Sequence, residues 1–512
     1  MTSHHHSSAG TPGTVVIETA QGAVRGLRRG GTLAFFGIPY AAPPLGAARF
    51  APPRAHAPWD GVRDATAPGP NAPQSGRSLG RVDMSPYFGT GWSPGEDYLT
   101  LDVWAPEAGA GDVGGGGGRG LPVMVFVHGG GFVAGSTRSA LYDGAGFARD
   151  GVVLVTLNYR LGIAGFLDLP GAPPNRGLLD IVAALRWVRE NVTTLGGDAQ
   201  NVTLFGQSAG ATLVGGVLAT PEASGCFHRA IIQSGSGLGA FTTEQAARVT
   251  EAAAQALGVR PRADAFAEIS DERLVEAAGA LTGLDLGTTT HRDPLAGLSP
   301  FGLVLDTQPA ASVAEGSGAD VDLLIGTNAE EGNLYLAPVG RYSTSTAADV
   351  EATAARSHPD PARLIETYRT ARPGASWGEL RSAILGDALF GAGTRALADA
   401  HAAHPGSATF GYEFAWRSSA LDGELGAAHA VELPFVFDLA HLPSLRGPGG
   451  LLGPVAPPGG LAAHTHETWV RFARTGDPGW DPYDTDRRAT MRIDAEWHQV
   501  DDPHGEEGRA WS

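Results

Sequence analysis

Short apolar runs spaced along the chain constrain the fold more than any other feature of the sequence. Each run is nearly continuous, with few polar interruptions, and the runs cover residues 122–127, 152–157, 202–205 and 321–325. Strands that are apolar on both faces belong to a sheet covered by helices on both sides. Between and after these runs, residues 178–191 and, more weakly, 468–474 repeat apolar residues at helical spacing. The alternation predicts an α/β fold with a mostly parallel central sheet.

The size of the chain and two alanine-rich stretches suggest how it is organised. With 512 residues, of which 42% are hydrophobic and 18% charged, the chain can build a large core, and wholesale disorder is excluded. We expect residues 1–13 to form a disordered tail and residues 14–512 a single domain. The stretches at about 242–292 and 347–403 have helical patterns and are expected to be insertions that cap the sheet. The glycine-rich run 108–120 predicts a surface loop, and no Gly-Lys-Ser/Thr phosphate loop follows it.

Charge and cysteine content exclude several classes of function. The formal net charge of −18 opposes nucleic-acid binding, and all 36 basic residues are arginine, which excludes lysine Schiff bases and Ser–Lys dyads. The single cysteine, Cys226, excludes an intrachain disulfide and zinc sites built on thiolate pairs. The sequence contains no apolar stretch of about 18 residues and no secretory signal, so we expect no membrane span and a cytoplasmic location.

The most specific local motif is Gly206-Gln-Ser208-Ala-Gly210. It lies between an apolar run and the apolar helical segment 211–219, and this strand–turn–helix context gives a Gly-x-Ser-x-Gly motif its meaning. The tight turn exposes the Ser208 hydroxyl at the carboxyl end of the sheet. The amide of Ala209, at the start of the helix, is placed to stabilise a developing oxyanion. The motif predicts a nucleophilic serine; the alternative is an ordinary strand–helix turn.

A second motif, His128-Gly-Gly-Gly131-Phe, follows the run that ends at Val127. Consecutive glycines leave backbone N–H groups unshielded, as the stabilisation of a tetrahedral intermediate requires. A glycine-rich turn without function is the alternative. A nucleophilic serine also needs a histidine base and a carboxylate that orients it. The chain has 16 histidines, and composition alone cannot choose among them.

Taken together, these motifs resemble the type B carboxylesterase family, which includes cholinesterases and bacterial para-nitrobenzyl esterases. The resemblance extends from about Val15 to the C-terminus. Further ordered matches lie at residues 36–41, 49–50, 59–64, 95–97, 158–162 and 196–198. The resemblance implies the α/β-hydrolase fold, with an active site at the bottom of a gorge.

The resemblance also implies roles for individual residues. Ser208 matches the family nucleophile, Glu331 its acid and His429 its base. Glu330 is a competing acid, but the family carboxylate directly precedes a glycine, as Glu331 precedes Gly332. The remaining matches are the oxyanion amides and a serine close to the triad, at Gly130, Gly131, Ala209 and Ser236.

Two further features are the residue before the serine and two ion pairs, of which the first bears on the substrate and the second on the scaffold. The family usually has glutamate before the nucleophile, and this chain has Gln207, which removes a negative charge and weakens any argument for cationic substrates. Arg49–Glu96 and Arg160–Asp180 resemble the structural ion pairs of the family.

The leading hypothesis is a serine carboxylesterase that hydrolyses neutral, small to medium esters through an acyl-enzyme. The expected partner is a small-molecule ester, and no cofactor and no metal site are expected. An amide or carbamate hydrolase with the same triad is the alternative, and a non-catalytic binding relative is a third. The sequence leaves the natural substrate, the pocket side chains and the oligomeric state open.

Overall fold

The computed structural model describes residues 13–109 and 120–511. The predicted disordered tail, except Gly13, and most of the predicted glycine-rich loop lie outside these ranges. The described residues contain thirteen strands, all in one sheet. They are β1 (Thr14–Thr19), β2 (Gly22–Arg29), β3 (Thr32–Pro39), β4 (Val62–Asp64), β5 (Thr100–Pro106), β6 (Leu121–Val127), β7 (Val153–Leu157), β8 (Gly197–Gln207), β9 (Arg229–Gln233), β10 (Asp322–Asn328), β11 (Thr409–Phe414), β12 (Ala489–Ile493) and β13 (His498–Asp501).

Helices connect and cover these strands. The α-helices in the described ranges are α1 (Ser85–Phe88), α2 (Ala145–Arg149), α3 (Gly162–Phe166), α4 (Arg176–Asn191), α5 (Ala209–Leu218), α6 (Thr243–Leu257), α7 (Ala263–Ala267), α8 (Asp271–Ala280), α9 (Pro309–Ala314), α10 (Asn333–Leu336), α11 (Ala347–Ser357), α12 (Pro361–Ala371), α13 (Trp377–Gly386), α14 (Ala392–Ala402), α15 (Leu433–Val436), α16 (Leu461–Thr475) and α17 (Gly505–Arg509). A π-helical turn, Asp387–Gly391, joins α13 to α14. Short 3₁₀ turns lie at Gly46–Ala48, Glu107–Gly109, Ala140–Tyr142, Val192–Leu195, Pro221–Ala223, Ala337–Val339, Ala420–Gly423 and Pro443–Leu445.

The centre of the sheet is parallel and its two edges are antiparallel. The strand order is β1-β2-β3-β5-β7-β6-β8-β9-β10-β11-β12-β13, and β4 pairs with β2. In this spatial order, all neighbouring strands from β7 through β6 to β12 pair in parallel, whereas β1, β3, β5 and β13 pair antiparallel with their neighbours. The predicted mostly parallel sheet covered by helices is therefore confirmed. The antiparallel strands β1 to β3 were not predicted from the sequence.

The apolar runs form the buried middle of this sheet. All residues of β7 are buried, and so are all residues of β6 after Leu121, because helices cover both faces of these strands. The chain leaves β6 for β7 on one side and later returns to β8 on the other side. Ligands of open α/β sheets bind at the carboxyl ends of strands where the order reverses in this way. The β6–β8 pair is thus the expected place for a site.

The two stretches predicted as helical insertions are helical over most of their length. The first contains α6, α7 and α8, and the second contains α11 to α14 with a turn near Pro373. Capping boxes begin α6, α11 and α13, in which a Thr or Ser side chain and the residue three positions later satisfy each other's backbone N–H. The division of the chain into one domain with insertions stays a prediction.

One of the two predicted ion pairs is present. Arg160 and Asp180 are both fully buried, with a Nη2–Oδ1 distance of 2.7 Å. The Arg49–Glu96 prediction is wrong, because Arg49 instead lies 3.4 Å from Asp271 and donates to the Ile269 carbonyl, while Glu96 is exposed. In the described part of the chain, no helix has the length and apolar character needed to cross a bilayer.

Candidate active site

Ser208 occupies the tight turn between β8 and α5. Its backbone has φ 59° and ψ −126°, a conformation with positive φ that is strained for any residue with a side chain. The flanking glycines make the turn possible. A Cβ at Gly206 would lie 2.7 Å from the Gly210 carbonyl carbon, and one at Gly210 would lie 2.1 Å from the Val127 oxygen. Only glycine fits at these two positions.

Glu331 and His429 meet at the same edge of the sheet. Glu331 follows β10, and its Oε2 lies 2.6 Å from His429 Nδ1, with both side chains almost completely buried. The other carboxylate oxygen, Oε1, accepts hydrogen bonds from the Asn328 amide at 2.7 Å and from the Ser234 hydroxyl. These contacts fix the carboxylate, so Nδ1 of His429 carries the proton and Nε2 presents a lone pair.

The competing carboxylate, Glu330, points elsewhere. It pairs with Arg417 and accepts a hydrogen bond from the Ala427 amide at 2.9 Å. Of the two adjacent glutamates, the structure therefore brings Glu331 to His429.

Gln207 lies between the histidine and a tyrosine. Its Nε2 is 3.2 Å from His429 Nε2, and its Oε1 accepts a hydrogen bond of 2.7 Å from the Tyr87 hydroxyl. In this arrangement the Gln207 amide donates to the lone pair of His429. Among the described residues, the Ser208 hydroxyl makes no hydrogen bond to His429, although both residues line the same cavity.

The glycine-rich segment after β6 lies beside the nucleophile turn. Val127 is paired with Gly206 across the β6–β8 ladder, which brings Gly130 and Gly131 to the Ser208 side of the cavity. Both glycines have positive φ, 119° and 63°. No hydrogen bond from the amides of Gly130, Gly131 or Ala209 to another described residue is present. Within the described residues, these three N–H groups are thus without a hydrogen-bond partner.

The cavity above Ser208 is mainly apolar and encloses about 850 Å³ of space, including its open mouth. A concave, mainly apolar lining with a few polar groups is typical of small-molecule sites. Its apolar lining consists of Leu79, Met84, Phe88, Phe132, Leu295, Leu298, Leu334, Leu389, Phe390 and Ala430.

The ring of His429 is held by an aromatic contact that the sequence did not reveal. Phe390, in the π-helical turn, stacks on His429 with ring centroids 4.3 Å apart and planes 9° apart. The ring of Tyr335 is also close to His429, with the two ring centroids 5.8 Å apart. Stacking and the Glu331 contact together define the orientation of the imidazole.

Glu432 is a second buried carboxylate near the triad residues. It accepts hydrogen bonds from Asn328 at 2.7 Å and from Gln233 at 3.3 Å. Burial, reinforced by the neighbouring Glu331 carboxylate, raises the pKa of Glu432 to about 7. The region behind His429 therefore gains or loses a charge near neutral pH.

The serine that touches the acid is not the predicted one. Ser236 was predicted to lie near the triad, but its hydroxyl accepts a hydrogen bond from the Leu238 amide at 3.2 Å. Ser234 donates to Glu331 instead. The sequence Gln233-Ser-Gly-Ser236 offers two serines, and only the positive-φ turn at Ser234 (φ 55°) decides between them.

No group of three or more metal-ligating side chains is present in the described residues.

Comparison with known proteins agrees with this geometry. The sequence profile of the carboxylesterase family matches residues 13–509. The chain belongs to the carboxylesterase family. The para-nitrobenzyl esterase of Bacillus subtilis (strain 168) is 33% identical over 505 residues, which cover 96% of this chain and 97% of the relative. The phenmedipham hydrolase of Pseudarthrobacter oxydans is 35% identical and covers 91% of each chain.

Solved structures of carboxylesterases have the same fold. A Geobacillus stearothermophilus carboxylesterase superimposes with a TM-score of 0.81 at 35% identity, over 97% of this chain and all of the other. A structure titled PNB esterase gives a TM-score of 0.80 at 32% identity, over 97% and 99% of the two chains. The predicted family, the α/β-hydrolase fold and carboxylic ester hydrolysis are thus confirmed.

Proposed function

We propose that Ser208, His429 and Glu331 are the nucleophile, base and acid of this ester hydrolase. The observation that carries the proposal is the 2.6 Å contact between His429 Nδ1 and Glu331 beside the strained Ser208 turn, in one cavity. A carboxylate on Nδ1 holds the imidazole in the tautomer whose Nε2 accepts a proton, and it stabilises the imidazolium that follows.

Acylation uses these groups in order. Ser208 Oγ attacks the ester carbonyl carbon, and its proton passes to His429 Nε2. The carbonyl oxygen becomes an oxyanion, which the amides of Gly130, Gly131 and Ala209 stabilise. The C–O bond to the alcohol then breaks, and the imidazolium returns its proton to the leaving alkoxide. The products are the free alcohol and an acyl-Ser208 ester.

Deacylation repeats the same steps with water. His429 Nε2 takes a proton from water as the water oxygen attacks the acyl carbonyl. The tetrahedral intermediate collapses, Ser208 recovers its proton from the imidazolium, and the carboxylic acid leaves. In both steps, His429 Nε2 must exchange the hydrogen bond from the Gln207 amide for one from the reacting group, which is the Ser208 hydroxyl in acylation and water in deacylation. Catalytic hydrogen bonds that are loose without substrate commonly tighten when it binds.

The nucleophile assignment is tested with Ser208→Ala. We expect the hydrolysis of para-nitrophenyl esters to fall by about 10⁵-fold while the protein stays folded. A sulfonyl fluoride should add to Ser208 in the unmodified protein, and mass spectrometry of the digested protein locates the adduct. The exposed Ser224→Ala is the matched control and should keep full activity. Retained turnover in purified Ser208→Ala would refute the proposal.

Adjacent glutamates give an internal control for the acid. Glu331→Gln should lower kcat by about 10⁴-fold, because an amide cannot hold the same imidazole tautomer. Glu330→Gln removes the same charge one residue away and should change kcat by less than about threefold, since Glu330 faces Arg417. The reverse pattern would assign the role to Glu330.

Amide or carbamate hydrolysis with the same triad is the second candidate. The relative named phenmedipham hydrolase favours it. Turnover of matched para-nitrophenyl esters and para-nitroanilides with the same acyl group separates the two. An ester preference supports the first candidate, and faster anilide cleavage supports the second. For the esters, the mainly apolar cavity supports acyl chains of small to medium size.

A further inference from the structure

Arg77 places a positive charge inside the active-site cavity. It lines this cavity together with Ser208 and the oxyanion glycines. Its Nη1 donates to the Gly130 carbonyl at 3.3 Å, and a Cβ built on Gly131 would lie 3.1 Å from the same nitrogen. The guanidinium therefore lies against the segment that supplies two of the proposed oxyanion amides.

This arginine has no carboxylate partner within the described residues. The hydrogen bond to Gly130 is the one contact found for its five N–H donors there. The described lining of the cavity contains no aspartate or glutamate. Burial lowers the pKa of Arg77, and the neighbouring Tyr335 and Tyr87 only partly oppose this effect. Within the part of the chain that the structure describes, this partly desolvated cation thus has no carboxylate in ion-pair contact.

Two fully buried arginines show how this chain satisfies a guanidinium when no ligand is involved. Arg160 is paired with Asp180. Arg176 donates to the backbone carbonyls of Ala164, Pro173, Ile163 and Leu167. Arg77 has neither arrangement, and its unused donors are adjacent to the place where an ester carbonyl would react.

We propose that Arg77 binds an anionic group of the substrate, so that the site takes esters bearing a carboxylate close to the scissile carbonyl. The proposal rests on the catalytic function proposed for Ser208. A planar guanidinium binds a carboxylate through two parallel hydrogen bonds, which gives orientation as well as affinity. Gln207, which is buried and contacts His429, is neutral and adds no negative charge that would oppose such a substrate.

The acidic surface does not cancel this local attraction. The net charge of −18 repels anions at long range, but salt screens exposed charges beyond a Debye length of about 8 Å at physiological ionic strength. A carboxylate in the cavity would lie in contact with Arg77, well within this distance. The contact therefore decides the preference among substrates.

The experiment compares two ethyl esters that differ in charge. Monoethyl succinate carries a carboxylate, and ethyl levulinate carries an acetyl group of similar size at the same position. Both release ethanol, so one coupled assay measures kcat/KM for both. We expect the unmodified protein to prefer the anionic ester. Arg77→Gln should reduce kcat/KM for monoethyl succinate by about 10- to 100-fold and change ethyl levulinate by less than threefold. Arg77→Lys should restore part of the loss.

A control and a binding measurement complete the test. Arg189→Gln removes the same charge from the exposed face of α4 and should leave both esters unchanged. Succinate should inhibit the unmodified protein competitively and inhibit Arg77→Gln at least tenfold more weakly. Equal losses on both esters, or no loss on either, would overturn the proposal. Hydrolysis of either ester by Ser208→Ala would instead refute the proposed function, so the two failures are distinguishable.

Discussion

Replacing Gln207 by glutamate tests the electrostatics of the base directly. Gln207 is fully buried, and its amide faces His429 Nε2 at 3.2 Å. A glutamate there would put a carboxylate oxygen in place of the amide nitrogen. The Tyr87 hydroxyl, 2.7 Å from Oε1, would donate equally well to that carboxylate and keep it in place. The change therefore alters charge with little change in shape.

The size of the effect follows from the distance. Two opposite unit charges about 4 Å apart attract by about 1 kcal/mol in water and about 4 kcal/mol at an effective dielectric constant of 20. A carboxylate at position 207 would thus favour the protonated form of the His429 imidazole in the free enzyme. In that form Nε2 already carries a proton and cannot accept one from Ser208. Since one pH unit corresponds to about 1.4 kcal/mol, the acid limb of kcat/KM should move up by roughly 1 to 3 pH units.

The assay is the pH dependence of kcat/KM for a neutral para-nitrophenyl ester between pH 5 and pH 9. Gln207→Met is the matched control, because it removes the amide donor without adding a charge. We expect the acid limb to move to higher pH in Gln207→Glu and not in Gln207→Met. An acid limb that stays in place in Gln207→Glu, or that moves equally in both variants, would contradict the reasoning.

Four further predictions concern substrate, stability and cofactor. A choline ester should be hydrolysed with lower kcat/KM than its neutral 3,3-dimethylbutyl analogue, since the cavity presents Arg77 and no carboxylate among its described lining residues; the opposite order would contradict this. Burial raises the pKa of Asp102 to about 7. As the pH rises from about 4 to 7, the free energy of unfolding should therefore fall by about 4 kcal/mol relative to that of Asp102→Asn. Urea denaturation at both ends of that range measures the difference. Asp180→Asn should cost about 3–5 kcal/mol in the same assay by leaving Arg160 buried and unpaired, whereas Glu244→Gln, which breaks an exposed pair with Arg248, should cost less than about 1 kcal/mol. Activity should survive EDTA, and a loss that a divalent ion reverses would show that a metal takes part.

The sequence predicted those parts of the protein whose signal is local. The runs around Val125 and Val155 are apolar on both faces, and they form buried strands. The serine motif predicted a turn, because it lies between an apolar run and a helical segment in the sequence. By contrast, the N-terminal strands share no common burial pattern: β1 is exposed or partly exposed throughout, β2 mixes exposed and buried residues, and β3 is almost entirely buried. Their pairing depends on tertiary context.

The parts of the site that sequence reasoning missed come from distant segments. Tyr87 lies 120 positions from Gln207, and no local pattern connects the two. The matched motif selected Glu96 as the partner of Arg49, although Asp271, more than 200 positions away, is the partner found. Ser234 and Ser236 are the same residue type two positions apart, so the sequence does not distinguish them. The backbone turn alone gives them different hydrogen-bond partners.

Because of the π-helical turn at Asp387–Gly391, the packing around the His429 ring depends on the number of residues in the turn as well as on their side chains. A π turn holds one residue more than an α turn. Deleting one residue there would restore the α-helical register and rotate the residues on one side by about 100° relative to the other. Phe390 would then leave the face of His429, although every side chain around the site remained. The length of this turn, and not only the set of side chains around the cavity, therefore determines which ring faces His429.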